Sequence, residues 1–210
     1  MMKLHYHPLS TYSQKTLMAF HEKQVAFTPE LVTLTDPTSR AAFLKINPIG
    51  KMPVLVLEDG WKIPESSIII EYLDSHFSTG TRLIAEDKDL ARRTRFHDRM
   101  ADLYVNDSLT KIFFDGRKPE AERDPKGVAA ARERLELVFG MVDNHLAKRT
   151  WMMDDAFSMA DCALAPCLGY ARMLHPFDKW KHLTAYAGRV MERPSFAKVH
   201  AEAAPYLAKL

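Results

Sequence analysis

The sequence has few cysteines and almost no excess of charge. Its 210 residues include two cysteines, Cys162 and Cys167, whose spacing fits neither a metal knuckle nor a redox Cys-x-x-Cys pair. The 29 Lys and Arg residues against 27 Asp and Glu leave a net charge of +2, which gives no basic surface for nucleic acid. No apolar run reaches membrane-spanning length, and the N-terminus lacks the apolar core of a signal peptide. We therefore expect a cytoplasmic protein with no membrane or nucleic-acid partner.

Motifs for metal and phosphate binding are also missing. The nine histidines show no ligand spacing, and His21-Glu22 lacks the second histidine of a zinc-binding helix. No glycine-rich phosphate loop occurs. The length suits one large domain or two small ones, with enough apolar residues for real cores. We expect no metal.

The most informative stretch is residues 47–67, NPIGKMPVLVLEDGWKIPESS. The apolar run from Val54 to Leu57 predicts a strand, and Asp59-Gly60 is typical of a tight hairpin turn. Pro53 stands at the start of that strand, where its missing N–H costs little. If the bond before Pro53 is cis, the backbone of Met52 points outward and can pair with an extended peptide.

A helix start follows the hairpin. Pro64-Glu65-Ser66-Ser67 precedes an apolar run, and the free N–H groups of such a start attract a carboxylate. Glu65 adds an anion for an ammonium group. The stretch therefore offers a peptide edge beside a site for an α-amino acid zwitterion, although an ordinary hairpin and capped helix remain the alternative.

Lys51-Met52-Pro53 together with Glu65-Ser66 resembles the glutathione site of the cytosolic glutathione S-transferases. The resemblance implies glutathione as co-substrate, lying along Met52. Its γ-glutamyl end would lie on Glu65 and Ser66, and Lys51 would lie near the glycyl carboxylate. It also implies a detoxifying, homodimeric transferase.

The resemblance spans nearly the whole chain and implies two domains. Residues 1–78 are expected to form a thioredoxin-like α/β domain, whose order β-α-β-α-β-β-α also follows from the sequence pattern. Residues 79–84 are expected to form a linker. Residues 85–210 are expected to form an all-α helical bundle, in which Ser158 and Asp161 have the spacing of a reciprocal helix cap.

Ser10-Thr11-Tyr12-Ser13 occupies the place where redox relatives of the thioredoxin fold carry Cys-x-x-Cys. Serine at both ends excludes disulfide exchange by the protein, but a hydroxyl can hydrogen-bond the thiolate of a ligand. Ser10 is the candidate catalytic residue, because it matches the position of the active serine or cysteine in several transferase classes. Tyr12, Ser13 and Tyr6 are weaker candidates, and Ser10 would otherwise only cap the helix.

The electrophile is expected between the two domains, as the resemblance implies. Arg99 could hold an anionic substrate there, but an exposed ion pair is its alternative. Aromatic residues at helical spacing are often core residues instead. The candidates are Leu9, Tyr12, Arg99, Leu103, Tyr104 and Phe113, with Phe114, Tyr170 and Met173 as further possibilities.

Four functions fit this pattern. The first is conjugation of glutathione to a small hydrophobic electrophile by attack of its thiolate. A glutathione-dependent isomerase or dehalogenase would keep the first-domain site and differ in the cleft. A peroxidase would use the same thiolate. A non-catalytic adaptor would keep the caps and core without needing to bind glutathione.

Overall fold

The computed structural model describes residues 1–208, which form two compact units. The first contains residues 1–83 together with the chain from Pro194 onward, and the second contains Ile84–Arg193.

A four-stranded mixed sheet forms the centre of the first unit. Its strands are β1 (Lys3–Tyr6), β2 (Thr28–Leu31), β3 (Val54–Val56) and β4 (Lys62–Pro64), in the spatial order β2-β1-β3-β4. Strands β1 and β2 are parallel, whereas β3 is antiparallel to both β1 and β4. The helices of this unit are α1 (Thr11–Lys23), α2 (Pro37–Leu44), α3 (Ser66–His76) and, from the end of the chain, α9 (Pro194–Leu207). The predicted thioredoxin-like fold is confirmed.

Pro29 lies inside β2. Strand β2 is at the edge of the sheet and pairs only with β1 among the described strands, with Leu4 opposite Pro29. A proline is tolerated in an edge strand because its missing N–H need not face a second neighbour.

Helix α9 belongs to the first unit, which differs from the expected boundary that placed residues 85–210 together. The Ser195 hydroxyl donates to the carboxylate of Glu22 at 2.5 Å. The Tyr6 hydroxyl donates to the carboxylate of Glu202. These contacts join the last helix to α1 and β1, and they connect residues so distant in sequence that no local pattern reveals them.

The segment after α3 is fixed to the end of α1. The Thr79 hydroxyl donates to the carbonyl oxygen of Lys23 at 2.6 Å, and the Thr81 N–H donates to that of Glu22 at 2.8 Å. Between them Gly80 has a φ of +65°, and a Cβ atom there would lie 2.0 Å from the Glu22 carbonyl oxygen. Only glycine fits both this conformation and this close approach. The expected linker is therefore held against the first unit over these residues.

The second unit is helical. Its helices are α4 (Lys88–Met100), α5 (Asp107–Asp115), α6 (Pro125–Leu146), α7 (Met159–Leu174) and α8 (Lys181–Glu192). A π-helical segment, Ala101–Asn106, joins α4 to α5. The chain from α4 through α5 is thus helical throughout, with a wider π-helical turn in the middle. Within residues 1–208, no helix combines the length and the apolar character needed to cross a membrane.

Asp161 is fully buried at the start of α7 and organises this end of the second unit. Its carboxylate accepts hydrogen bonds from the N–H and hydroxyl of Ser158, the N–H of Met152 and the hydroxyl of Tyr186, at 2.8 to 2.9 Å. Burial raises the pKa of Asp161 and outweighs the hydrogen bonds, which lower it, so that the pKa is about 6. Asp161 is therefore structural, as its spacing from Ser158 predicts.

We expect Asp161→Ala to destabilise the fold strongly. The substitution leaves two N–H and two hydroxyl groups buried without their acceptor, at about 1–3 kcal/mol for each group. Chemical denaturation at pH 7 should show a loss of at least about 3 kcal/mol. Tyr186→Phe, the matched control, removes a single donor and should cost about 1 kcal/mol. Equal losses for the two variants would contradict the central role of the carboxylate.

Candidate functional site

Three segments of the first unit meet at one end of its sheet. His5 pairs with Val54, so the chain after β1 and the chain before β3 lie side by side. Val54 also pairs with Pro64, which brings the start of α3 beside them. Two strand spacings, about 10 Å, separate the outer two segments. A distance of roughly 10 Å is also the length of an extended tripeptide.

The central segment offers an unpaired stretch of backbone. The Met52–Pro53 peptide bond is cis, the condition on which the sequence interpretation depended. Among residues 1–208, neither the N–H nor the C=O of Met52 has a hydrogen-bond partner. The amide of Asn47 donates to the carbonyl oxygen of Lys51 at 2.7 Å and fixes the preceding turn. The Lys51 side chain is exposed, and Pro53 is buried.

The third segment has an uncommon backbone conformation. Glu65 precedes the first residue of α3 with a φ of +70°, and its side chain makes no capping hydrogen bond. Non-glycine residues at such angles carry about 1–3 kcal/mol of strain and cluster at functional sites. The Glu65 side chain is exposed, whereas Ser66, the first residue of α3, is buried. This end of α3 therefore presents helix-start N–H groups next to a carboxylate.

Two lysines of α1 bind α3 and set the direction of the two helices. The Lys15 ammonium donates to the Ser67 hydroxyl at 2.9 Å, and the Lys23 ammonium pairs with the Asp74 carboxylate at 2.9 Å. The first contact joins the early part of each helix, and the second joins their later parts. Helices α1 and α3 therefore run in the same direction, and both begin at the same end of the unit. Sequence reasoning missed Lys15 and Ser67, because a lysine in a polar run predicts exposure.

The hydroxyl of Ser10 is positioned at the start of α1. Its oxygen accepts a hydrogen bond from the Ser13 N–H at 3.2 Å, so Ser10 caps α1. Capping is the role named above as the alternative to catalysis. A serine that accepts this bond keeps its own proton for donation to another group. Two of the competing candidates are engaged elsewhere: Ser13 is fully buried and accepts the His7 N–H at 3.4 Å, while the Tyr6 hydroxyl binds Glu202. Burial raises the pKa of Tyr6, as does its bond to Glu202.

Leu9 and Tyr12, the first-unit candidates for the electrophile, flank Ser10. Both are partly buried. The Leu9 N–H donates to Nδ1 of His7 at 3.1 Å, and the Tyr12 carbonyl oxygen accepts from the Thr16 hydroxyl at 3.1 Å. Leu9 therefore lies in the turn before α1, and Tyr12 lies in the first turn of that helix.

The other electrophile candidates lie in the second unit. Arg99 is half exposed and forms an ion pair with Asp102 at 3.6 Å. This exposed ion pair is the alternative to binding an anionic substrate. Leu103 and Tyr104, on the π-helical segment, are 42% and 47% exposed. The ring of Phe113 lies 3.6 Å below the guanidinium of Arg117. The electrophile pocket stays a prediction. In the part of the chain that the structure describes, no cluster of three or more His, Cys, Asp or Glu residues is suited to a metal.

Comparisons with known proteins agree with this geometry. Residues 9–76 match the family model for the N-terminal domain of glutathione S-transferases, and residues 102–194 match the model for the C-terminal domain. Glutathione S-transferase F6 of Arabidopsis thaliana is 28% identical, over 94% of this chain and 98% of the relative. A Haemophilus ducreyi protein named stringent starvation protein A homolog is 30% identical, over 92% of this chain and 87% of that protein.

The chain also matches a solved structure in three dimensions. The crystal structure of a glutathione S-transferase from Methylobacillus flagellatus KT with glutathione bound superimposes with a TM-score of 0.88. The two proteins are 31% identical, and the match covers 95% of this chain and 98% of that one. Both halves of the chain thus match, in sequence and in space, and the chain belongs to the glutathione S-transferase superfamily.

Proposed function

We propose that this protein is a glutathione transferase that activates the glutathione thiolate for attack on a small electrophile. The observation behind the proposal is the single sheet end that holds the Ser10 turn, the unpaired Met52 backbone and the start of α3. Glutathione would pair with Met52 and place its γ-glutamyl group on Glu65 and Ser66. Lys51 would lie near its glycyl carboxylate.

A hydroxyl at Ser10 is sufficient for thiol activation. A free thiol has a pKa near 8.5, and lowering it by about two units requires roughly 2.7 kcal/mol. A hydrogen bond to the charged sulfur supplies about 1.5–3 kcal/mol. The start of α1 adds about 0.3–1 kcal/mol through the helix dipole. The thiol proton leaves to solvent, and the thiolate sulfur then bonds to an electrophilic carbon while the leaving group departs with its electron pair.

A non-catalytic adaptor is the second candidate. It is favoured by the similarity to the stringent starvation protein A homolog, whose name mentions no transferase activity. The two candidates differ in whether glutathione must bind.

We further propose that the protein is a homodimer. Trp61 and Ile68 are 60% and 52% exposed in the first unit. Large apolar side chains exposed to this extent are candidates for burial against a second copy.

We expect Ser10→Ala to raise the pKa of the bound glutathione thiol by one to two units, because the donor to the sulfur is lost. The value of kcat/KM near neutral pH should fall by roughly 10–100-fold. The thiolate absorbance of the complex, titrated with pH, measures the shift. Tyr12→Phe and Ser13→Ala are the matched variants. A pKa shift seen only in one of these two would assign thiol activation to that residue instead of Ser10.

We expect Glu65→Ala and Ser66→Ala each to raise the Kd for glutathione by about tenfold or more, since each removes a contact with a charged group. Calorimetric titration at pH 7 measures the Kd. Glu58→Ala, which removes an exposed glutamate paired with the N-terminus, should leave the Kd unchanged. A wild-type protein that does not bind glutathione would favour the adaptor instead.

We expect the wild-type protein to sediment at about twice its chain mass of 24.0 kDa. Ile68→Glu should shift it toward the monomer, because a buried unpaired charge opposes association. Leu137→Glu changes a side chain of the second unit that is 66% exposed, and it should remain dimeric. A monomeric wild type at micromolar concentration would contradict the proposal.

A further inference from the structure

His7 makes three hydrogen bonds that shape the turn between β1 and α1. Its carbonyl oxygen accepts a hydrogen bond from the Ser10 N–H at 3.0 Å, and its own N–H donates to the Ser13 hydroxyl at 3.4 Å. Nδ1 of its ring accepts a hydrogen bond from the Leu9 N–H at 3.1 Å. The first two bonds use backbone groups that almost any residue supplies, whereas the third needs the imidazole nitrogen. The side chain of His7 therefore fixes the residue directly before Ser10.

The bond from Leu9 determines which nitrogen of the His7 ring carries the proton. A neutral imidazole has one N–H donor and one acceptor nitrogen, so acceptance at Nδ1 places the proton on Nε2. A protonated imidazole carries an N–H at both nitrogens and cannot accept a hydrogen bond from Leu9. Protonation of His7 therefore breaks this bond.

The surroundings of His7 favour the neutral ring. From α9, the ring of Tyr206 lies edge-on to it, with 5.2 Å between the ring centroids. Glu202, one turn earlier on α9, has its carboxylate engaged by the Tyr6 hydroxyl, and α1 contributes the Ser13 hydroxyl. Burial lowers the pKa of His7 below its ordinary value. Nδ1 is consequently free of a proton near pH 7 and accepts the Leu9 N–H.

One other side chain binds the same turn. The Gln14 amide donates to the carbonyl oxygen of Pro8 at 2.7 Å, and this bond does not depend on pH in the neutral range. Only the bond at His7 changes when a ring nitrogen takes up a proton. Because Ser10 follows Leu9 directly, losing that bond frees the residue that carries the catalytic hydroxyl. Displacing a reacting group by about 1 Å can cost on the order of 100-fold in rate.

We propose that His7 is a positioning residue that keeps the Ser10 hydroxyl directed at the glutathione sulfur, and that protonation of its ring displaces Ser10. The inference rests on the proposed function and adds to it a residue that senses pH. His7 does not touch the sulfur in this account, and Ser10 remains the donor to it.

Two substitutions at position 7 separate the acceptor from the ring. His7→Phe keeps a ring against Tyr206 and removes the acceptor, whereas His7→Asn keeps an acceptor oxygen near the place of Nδ1 and removes the ring. His7→Phe should lower kcat/KM near pH 7 about tenfold and raise the pKa of the bound thiol, and His7→Asn should restore most of both losses. An active His7→Phe beside an impaired His7→Asn would overturn the inference, because it would assign His7 to packing against α9.

The pH dependence gives a second readout, with His7→Asn as the variant that cannot titrate at this position. Since the lowered pKa places protonation of His7 below about pH 6.5, the wild type should lose kcat/KM about tenfold relative to His7→Asn as the pH falls through that range. His200→Asn, which removes an exposed histidine of α9, should follow the wild type. A ratio of wild type to His7→Asn that stays constant over this range would contradict the inference.

Nuclear magnetic resonance of the wild-type protein without glutathione tests the turn itself, and it decides even if a variant does not fold. At pH 7 the nitrogen chemical shift of His7 Nδ1 should be that of an unprotonated nitrogen. The amide signals of Leu9 and Ser10 should move as the ring titrates, and amide signals that stay in place would overturn the inference. Failure of the proposed function is seen separately, as a wild-type protein that does not bind glutathione in a calorimetric titration.

Discussion

The contacts between α1 and α3 are the constraint on which the first unit depends. Lys15 and Lys23 lie eight residues apart on α1, about 12 Å along its axis, and each binds a residue of α3. Two contacts at such a separation fix the direction and the register of one helix against the other. Because the helices run in the same direction, the hydroxyl that begins one and the N–H groups that begin the other face the same end of the sheet.

Much of the first unit could be predicted because its signals are local. Asp59-Gly60 marks the hairpin, and helix α3 begins at Ser66, where the helix-start pattern predicts it. The cis bond before Pro53 was a condition of the sequence interpretation and the cap formed by Ser10 was an alternative to catalysis, and both occur in the structure. The Lys15–Ser67 contact joins residues 52 positions apart, and no periodicity encodes such a pair. The sequence therefore indicated the two ends of the candidate site but not what connects them.

In the second unit, too, local features could be predicted from the sequence and contacts between distant residues could not. The cap of α7 could be predicted from Ser158 and Asp161, three residues apart, whereas the Tyr186 hydroxyl that completes the network comes from α8. The π-helical segment between α4 and α5 was also missed. A π-helical turn differs from an α-helical turn in closing i→i+5 instead of i→i+4 hydrogen bonds, and the residue types of the sequence do not show where that change occurs.

The return of α9 to the first unit gives the polypeptide an insertion topology. The chain crosses between the units at two points, after Leu83 and before Pro194, so the helical unit is an insertion within the sequence of the first unit. A gene fragment ending at residue 83 would encode the sheet but leave Tyr6 and Glu22 without Glu202 and Ser195. Recombination between homologues that is meant to exchange one unit intact consequently needs two breakpoints.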